Sequence, residues 1–374
     1  MKVALLSDCY LPRLGGIEVQ THDLAQHLRA AGHDVEVFTA TRGADGEMHG
    51  TVTVVDGVPV HRLAARMPWE LPINPFAPAE LRRRLVEGGF DVAHVQTGVV
   101  SPFAWDSTRV TVGLGLPTAM TWHCMLAGVA PVFRAARFVR RWASRGVAMS
   151  AVSDVAAEPL RRLVGPGVSV GVLPNGIDVA RWAMGPVVRE PGPLRLVTAM
   201  RLAPRKRPAA LVELVAEAAR MAGPGSVSLT VLGEGPDRRK VEALVRERRL
   251  DWVSLPGRVP RDELRQLYAA ADVYLSPARL ESFGIASLEA RTVGLPVIGR
   301  SGSGVGEFVT DGVNGLVVSS DSQMSSAIAR LAKDPGEVAR MRAWNTTHPP
   351  EQEWSHVAAL AVAEYERALG LVRR

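Results

Sequence analysis

Glu281 and Glu289 stand eight positions apart in the run Glu281-Ser-Phe-Gly-Ile-Ala-Ser-Leu-Glu289, on either side of a Phe-Gly turn. Leu275, Pro277, Leu280 and Phe283 lead in as a strand end and loop, and the periodicity of Ile285 to Val293 predicts a helix. Glu281 then sits in the loop and Glu289 about two turns inside the helix. Between them the backbone N–H groups of Ser282, Phe283 and Gly284 point outward at a helix N-terminus, which attracts phosphate. Carboxylates that accept from sugar hydroxyls beside a phosphate cradle point to a nucleotide-sugar site. A surface helix with Glu at both ends fits the same residues.

Other chemistry-bearing residues fall at strand ends. In Met200-Arg201-Leu-Ala-Pro-Arg205-Lys206-Arg207-Pro208, Arg201 and Lys206 lie five apart across a turn that contains proline. They can converge on one diphosphate, Arg through its planar fork and Lys as a point charge. The alternative is a solvated basic turn. Gly15-Gly16 follows the first strand and leads into a helix, where a missing Cβ lets backbone approach an anion. A simple tight turn explains the pair equally well, and the G-x-G-x-x-G fingerprint of dinucleotide sites is absent. His123, in Thr121-Trp122-His123-Cys124, is either a packed residue or a site histidine. Asn175, in Leu173-Pro-Asn175-Gly176-Ile-Asp178, is turn chemistry first and a ligand contact second. Val259 follows Pro256-Gly257 in another strand-end loop. No Asp-x-Asp, H-E-x-x-H, C-x-x-C or G-x-S-x-G occurs, which sets back metal-dependent hydrolysis and acyl transfer.

The elements needed to position these residues are legible in the pattern. The 374 residues suffice for two domains, and 47% hydrophobic with 22% charged content is globular. A formal charge of +6 favours anionic partners, but it is dispersed and aromatics are only 5%, so nucleic acid is not expected. Two cysteines, Cys9 and Cys124, are too few for a disulfide framework or zinc site, and a reduced cytoplasmic setting is expected. The opening run reads as a strand and not a secretory signal. The uncharged run Val110 to Phe133 is broken by Gly113, Gly115, Pro117 and Pro131 and is not expected to span a membrane. Strands and helices alternate in two sets, which predicts an α/β chain of two doubly wound, Rossmann-like domains. The expected limits are 1–182 for an acceptor-side domain, 183–350 for a donor-binding domain, and 351–374 for a C-terminal helix crossing back to the first. The join at Ala183–Pro193 carries linker chemistry in Gly185, Pro186, Pro191, Gly192 and Pro193. Ligands of such sheets bind beyond the carboxyl ends of the strands.

The whole set, in order, resembles glycosyltransferase family 4: the glycine pair, Asn175-Gly-Ile-Asp178, Arg201 with Lys206, Pro256-Gly-x-Val259 and Glu281 to Glu289. Gly15-Gly16-Ile-Glu18 and Arg29-Ala-Ala-Gly32-His33-Asp-Val35 look most like actinobacterial mannosyl- and N-acetylhexosaminyltransferases. The resemblance implies a GT-B fold and retaining transfer of a hexose from a nucleotide-diphosphate sugar to a hydroxyl acceptor. GDP-mannose is the first expectation for the donor and UDP-N-acetylglucosamine the second. It further implies that Arg201 and Lys206 neutralise the leaving diphosphate, so that no metal or other cofactor is needed. Glu281 would hold sugar hydroxyls, with Phe283, Gly284 and Ile285 offering backbone N–H groups. Glu289 would bind the ribose, backbone near Val259 would read the base, Gly16 would let its loop approach the diphosphate, and His123 would contact the sugar. Cys124 departs from the small polar residue usual in the family. The implied acceptor is a lipid, a cyclitol or a glycan. Arg134 to Trp142, with four arginines, reads as a basic interfacial helix for peripheral contact with the inner membrane face, or as a solvated helix face. Two other functions stay open: a nucleotide-sugar epimerase or hydrolase on the same fold, and a basic peripheral binding protein without chemistry.

Overall fold

The computed structural model describes residues 1–13, 15–48, 50–65, 74–126, 133, 137–185 and 192–372. The chain divides into two compact units, Met1–Gly176 with Gln352–Arg374, and Ile177–Glu351.

The described residues of the first unit begin with β1 (Lys2–Ser7), α1 (Gly16–Ala30), β2 (Asp34–Thr39), β3 (Thr51–Val55), β4 (Val58–Arg62), α2 (Ala77–Gly88) and β5 (Val92–Thr97). They continue with α3 (Pro102–Leu114), β6 (Thr118–Trp122), α4 (Phe138–Ala143), β7 (Ala148–Ala151), α5 (Asp154–Val164) and β8 (Val170–Val172). The second unit contains α6 (Val179–Trp182), β9 (Leu194–Ala199), α7 (Pro208–Ala222), β10 (Val227–Leu232), α8 (Arg238–Glu247), β11 (Val253–Gly257) and α9 (Arg261–Ala270). After these come β12 (Val273–Leu275), α10 (Ile285–Thr292), β13 (Val297–Arg300), β14 (Gly315–Val318), α11 (Asp321–Lys333) and α12 (Pro335–Thr347). The last helix, α13 (Trp354–Val372), belongs to the first unit, where it contacts α1, β5, β6 and β7.

The first sheet runs β3-β4-β2-β1-β5-β6-β7-β8 and is parallel except for the β3–β4 hairpin about Asp56-Gly57. Its central strands are apolar on both faces because helices cover both, and β5 and β6 are buried at every position. One face packs Phe38, Val95, Trp122 and Leu160, and the other packs Leu5, Leu28, Ala119 and, from α13, Tyr365. The second sheet, β11-β10-β9-β12-β13-β14, is parallel throughout its registered pairs. Strand order reverses at β1/β5 in the first sheet and at β9/β12 in the second. In sheets of this kind those switch points open a crevice at the carboxyl ends of the strands. Gly15-Gly16 follows β1, His123 follows β6 next to β5, Arg201 and Lys206 follow β9, and Glu281 follows β12. These residues thus lie at or beside the switch point of their own sheet, whereas Asn175 follows edge strand β8 and Val259 edge strand β11.

Two expectations shift. The first unit ends at Gly176, earlier than residue 182, because α6 packs within the second unit: Trp182 lies against Tyr268 (ring centroids 6.1 Å apart) and Arg181 pairs with Asp262. Glu289 lies about one turn inside its helix, where two were expected: α10 starts at Ile285, as the periodicity predicts, and the four residues on to Glu289 make one turn. Of the basic segment, residues 134–136 lie outside the described residues. Within α4, Val139 and Trp142 are buried in the core while Arg140 and Arg141 are exposed. Linker positions 186–191 also lie outside the described residues. No described helix is long and apolar enough to cross a membrane.

Candidate active site

In the second unit, the Phe-Gly turn is built by two glycines. Gly284 adopts the left-handed conformation at the N-cap of α10, and a side chain there would press on Val305 at 3.1 Å. Gly304 donates its N–H to the Glu281 carbonyl at 2.8 Å, and a side chain on it would run into the Ser282 carbonyl. Phe283 anchors the turn as a buried ring against Phe308, 5.5 Å between centroids. Leu288 N–H closes the first helical bond to Gly284. The amides of Phe283, Gly284 and Ile285 have no backbone acceptor among the described residues. They remain as donors at a helix N-terminus, where the dipole favours an anion.

Lys206 and Glu281, 75 residues apart in sequence, form an ion pair at this turn, with side chains 21% and 15% exposed. Lys206 is delivered by the short 3₁₀ turn Pro204–Lys206 after β9. Arg201 is exposed, and its guanidinium has no hydrogen bond or ion pair among the described residues. Glu289 is buried on α10, with Oε1 facing Arg261 Nη2 at 3.4 Å. Arg261 opens α9 directly after the 258–260 connection, so it ties the Val259 loop to Glu289. The sequence reading missed Arg261, whose only signal is its place two residues beyond Val259.

In the first unit, Gly15 is the extended N-cap of α1, and the Glu18 carboxylate folds back onto it so closely that a Gly15 side chain would collide with it. Glu18 is buried and pairs with Arg13 at 3.3 Å. Asp8, just past β1, accepts from the Phe103 N–H at 2.9 Å and fastens the start of α3 to the sheet. Burial lifts its carboxyl to about 7 against those hydrogen bonds. Cys9 is a free thiol that burial pushes up to about 11, so it is no nucleophile at neutral pH. Cys124 forms no disulfide either.

His123 is part of a directional hydrogen-bond chain that the sequence reading did not foresee. Its Nε2 lies 2.5 Å from Gln96 Oε1, Gln96 Nε2 lies 3.1 Å from His94 Nε2, and His94 Nδ1 lies 2.9 Å from the Tyr365 hydroxyl. An amide oxygen only accepts and its NH₂ only donates. The chain therefore runs one way: His123 Nε2–H donates to Gln96, Gln96 donates to bare His94 Nε2, and His94 Nδ1–H donates to Tyr365. Thr121 reaches His94 Nε2 at 2.7 Å and Ser150 at 2.9 Å. Sheet register explains the gathering, since Gln96 pairs with Thr121 and Thr121 with Ser150. The signal available in sequence was His94 and Gln96 two apart in an otherwise apolar strand, hence on one face.

Burial lowers the His94 imidazole to about 3, with His123 adding to the effect. Burial also brings His123 down to about 4, against the raising effect of its hydrogen bond with Asn175. Both rings are neutral at physiological pH. Asn175 is held by its neighbour: Gly176 exchanges two hydrogen bonds with the Gln20 amide (2.9 and 2.8 Å), and Trp354 leaves no room for a side chain on Gly176. A cavity of about 20 Å³ between Gln96, His123, Asn175 and Trp354 has room for one water.

The structure thus joins Lys206 to Glu281, Glu289 to the Val259 loop, and His123 to Asn175; it leaves Arg201 apart. No three His, Cys, Asp or Glu side chains among the described residues could hold a metal ion. Lys206, on the 204–206 turn, is the cation that pairs with the carboxylate of the α10 turn.

Comparison with known proteins bears on the family and the fold. The model of Glycosyltransferase Family 4 matches residues 14–181, and that of Glycosyl transferases group 1 matches residues 186–346. The D-inositol 3-phosphate glycosyltransferase of Kribbella flavida is 30% identical, over 95% of this chain and 91% of that one. The GDP-mannose-dependent alpha-(1-6)-phosphatidylinositol monomannoside mannosyltransferase of Mycobacterium tuberculosis is 26% identical, over 96% of each. Among solved structures, the HepE protein of Anabaena in complex with UDP superposes with a TM-score of 0.76 at 17% identity, over 98% of this chain and 100% of that one. A match across both units, by sequence and by fold, sets aside the reading as a binding protein without chemistry. The chain belongs to glycosyltransferase family 4 and is a hexosyltransferase with the GT-B fold.

Proposed function

We propose that the protein moves a hexose from a nucleoside-diphosphate sugar to a hydroxyl acceptor with retention at the anomeric carbon and without a metal. The observation that carries this reading is the Lys206–Glu281 pair at the N-terminus of α10, with Glu289 one turn further in. A cation, a row of unpaired amides and two carboxylates at that spacing match a diphosphate, a sugar and a ribose in turn. In the reaction the donor C1–O bond breaks as the new C1–O bond forms on the same face. The acceptor hydroxyl proton passes to the departing phosphate oxygen, so no protein base is needed. Lys206 and Arg201 offset the charge that grows on the diphosphate, and the amides of Phe283, Gly284 and Ile285 donate to sugar and phosphate. Glu281 and Glu289 fix the sugar and ribose hydroxyls. Backbone at Val259 reads the base. In the first unit Gly16 lets its loop approach the diphosphate, and Asn175 orients neutral His123, which takes a sugar hydroxyl.

GDP-mannose is the preferred donor, in line with the name of the mycobacterial relative, and UDP-N-acetylglucosamine is second. The two relatives' names likewise favour an inositol phosphate or an inositol lipid as acceptor over a glycan, and the lipid would bring peripheral membrane contact at the cytoplasmic face. Calorimetric titration of GDP, UDP and ADP, then of their sugar conjugates, without metal, tests the donor reading. Saturable binding of one nucleotide supports it and names the base. Binding that demands a divalent cation overturns the metal-free part, and release of free or epimerised sugar at full rate without acceptor favours the hydrolase or epimerase.

A further inference from the structure

Three arginines from three elements of the second unit converge on one carboxylate. Arg207, at the N-cap of α7, holds both oxygens of Asp321, at 2.9 and 2.7 Å. Arg279, in the connection after β12, reaches Oδ2 at 3.3 Å, and Arg300, the last residue of β13, is ion-paired with Oδ1. Three guanidiniums against one carboxylate leave a formal excess of two positive charges. The carboxylate's acceptor positions are all occupied, while each guanidinium has five donors to place.

An open cavity of about 520 Å³ lies over this cluster, lined by Arg279, Arg300, Ser301, Ser319, Ser320 and Asp321. The Arg300 side chain is 3% exposed, yet its Nε has no hydrogen-bond partner among the described residues. A buried guanidinium N–H left open costs free energy unless a ligand or water completes it. Burial, then repulsion by Arg207 and Arg279, lowers the Arg300 pKa. The 13-residue helix α11 begins at the same cavity, with Ser320 as its cap, and adds the positive end of its dipole.

We propose that this cavity binds a phosphate monoester dianion, with Arg279 and Arg300 on its oxygens and the organic part in the remaining volume. The dianion matches the twofold excess of charge, and its tetrahedral oxygens can take donors from guanidiniums, serine hydroxyls and the α11 amides together. None of Arg201, Lys206, Glu281 or Glu289 lines the cavity, so the inference does not depend on the donor reading.

Inorganic phosphate, then glycerol phosphate, is titrated calorimetrically into Lys206→Met protein, which removes the cation at the α10 turn. Saturable binding is expected. It weakens about tenfold with Arg279→Ala, the loss of one charge-assisted contact. It tightens with Asp321→Asn, which withdraws the competing anion. Arg279 is 66% exposed, so its removal spares the fold, and circular dichroism checks Asp321→Asn. Absence of saturable phosphate binding overturns the proposal, as does binding that Arg279→Ala leaves unchanged. A second arm compares vesicles containing phosphatidic acid with vesicles of matched charge containing phosphatidylserine. Recruitment to the first alone, lost with Arg279→Ala, assigns the phosphate to a lipid headgroup. Glycerol phosphate binding without recruitment assigns it to a soluble ester.

Discussion

Removing either member of the Lys206–Glu281 pair should move nucleotide binding in opposite directions. In the free protein Lys206 is engaged by Glu281, so an incoming diphosphate must share the ammonium or draw it away. With Lys206→Met the diphosphate loses a charge-assisted contact of about 1.5–3 kcal/mol, which is about 10- to 150-fold in Kd. With Glu281→Gln the ammonium is freed and a negative charge beside the diphosphate disappears. Nucleoside-diphosphate affinity should then hold or rise, while sugar transfer collapses because the sugar hydroxyls lose their acceptor. Stability separates these effects from misfolding. Breaking a fully buried pair costs about 3–5 kcal/mol and an exposed one under about 1. Side chains 21% and 15% exposed place this pair between those limits, about 1–2 kcal/mol. Thermal melts should therefore fall by only a few degrees in either variant, about 2–4 °C per kcal/mol for a domain of this size. Calorimetry of the nucleoside diphosphate on wild type, both single variants and the double variant gives the coupling directly. Equal weakening in both single variants, or an unchanged Kd in Lys206→Met, would refute the reasoning.

Gln96→Leu removes the middle of the chain from His123 to Tyr365: His123 Nε2–H loses its Gln96 acceptor, while His94 Nε2 keeps Thr121. The lost contact predicts a drop of about 1–3 kcal/mol by denaturant melts, whereas Gln96→Asn or exposed-surface controls should lose less. Nitrogen-15 NMR of the histidine rings should show His123 as the Nε2–H tautomer and His94 as the Nδ1–H tautomer; the opposite pattern rules out the directional chain. The same two histidines set the acid limit of stability. Their folded pKa values, about 4 and about 3, lie below the ordinary value of 6.5, so the unfolded chain binds more protons below that value. Stability should fall as pH drops from about 6.5 toward 4. Asp8 acts from the other side, because a folded pKa of about 7 against an ordinary 3.8 makes stability fall as pH rises from about 4 through 7. Asp8→Asn removes that opposing contribution, so its melting temperature should rise with pH more steeply than the wild type's between about 5 and 6.5; an unchanged slope there would show that Asp8 is not the group responsible.

The two α/β units were legible because parallel strands buried on both faces leave continuous apolar runs, punctuated by glycine and acidic residues at their ends. The paired glutamates were legible because their spacing is local. What the sequence could not display is contact between distant segments. Lys206 and Glu281 are 75 residues apart, and His94 and Tyr365 are 271 apart. Nor does a glycine announce its neighbour: Gly304 reads as one of several in a flexible-looking run, yet it is small because the Ser282 carbonyl occupies the space of its side chain. Polar residues inside apolar strands are the readable remainder. A histidine and a glutamine two apart in a buried strand cannot be left unpaired, so their presence already required partners on the covering helix. On that logic Tyr365 ties α13 to the first sheet through a hydrogen bond as well as by packing. The C-terminal helix thereby becomes part of what holds His123 in one tautomer.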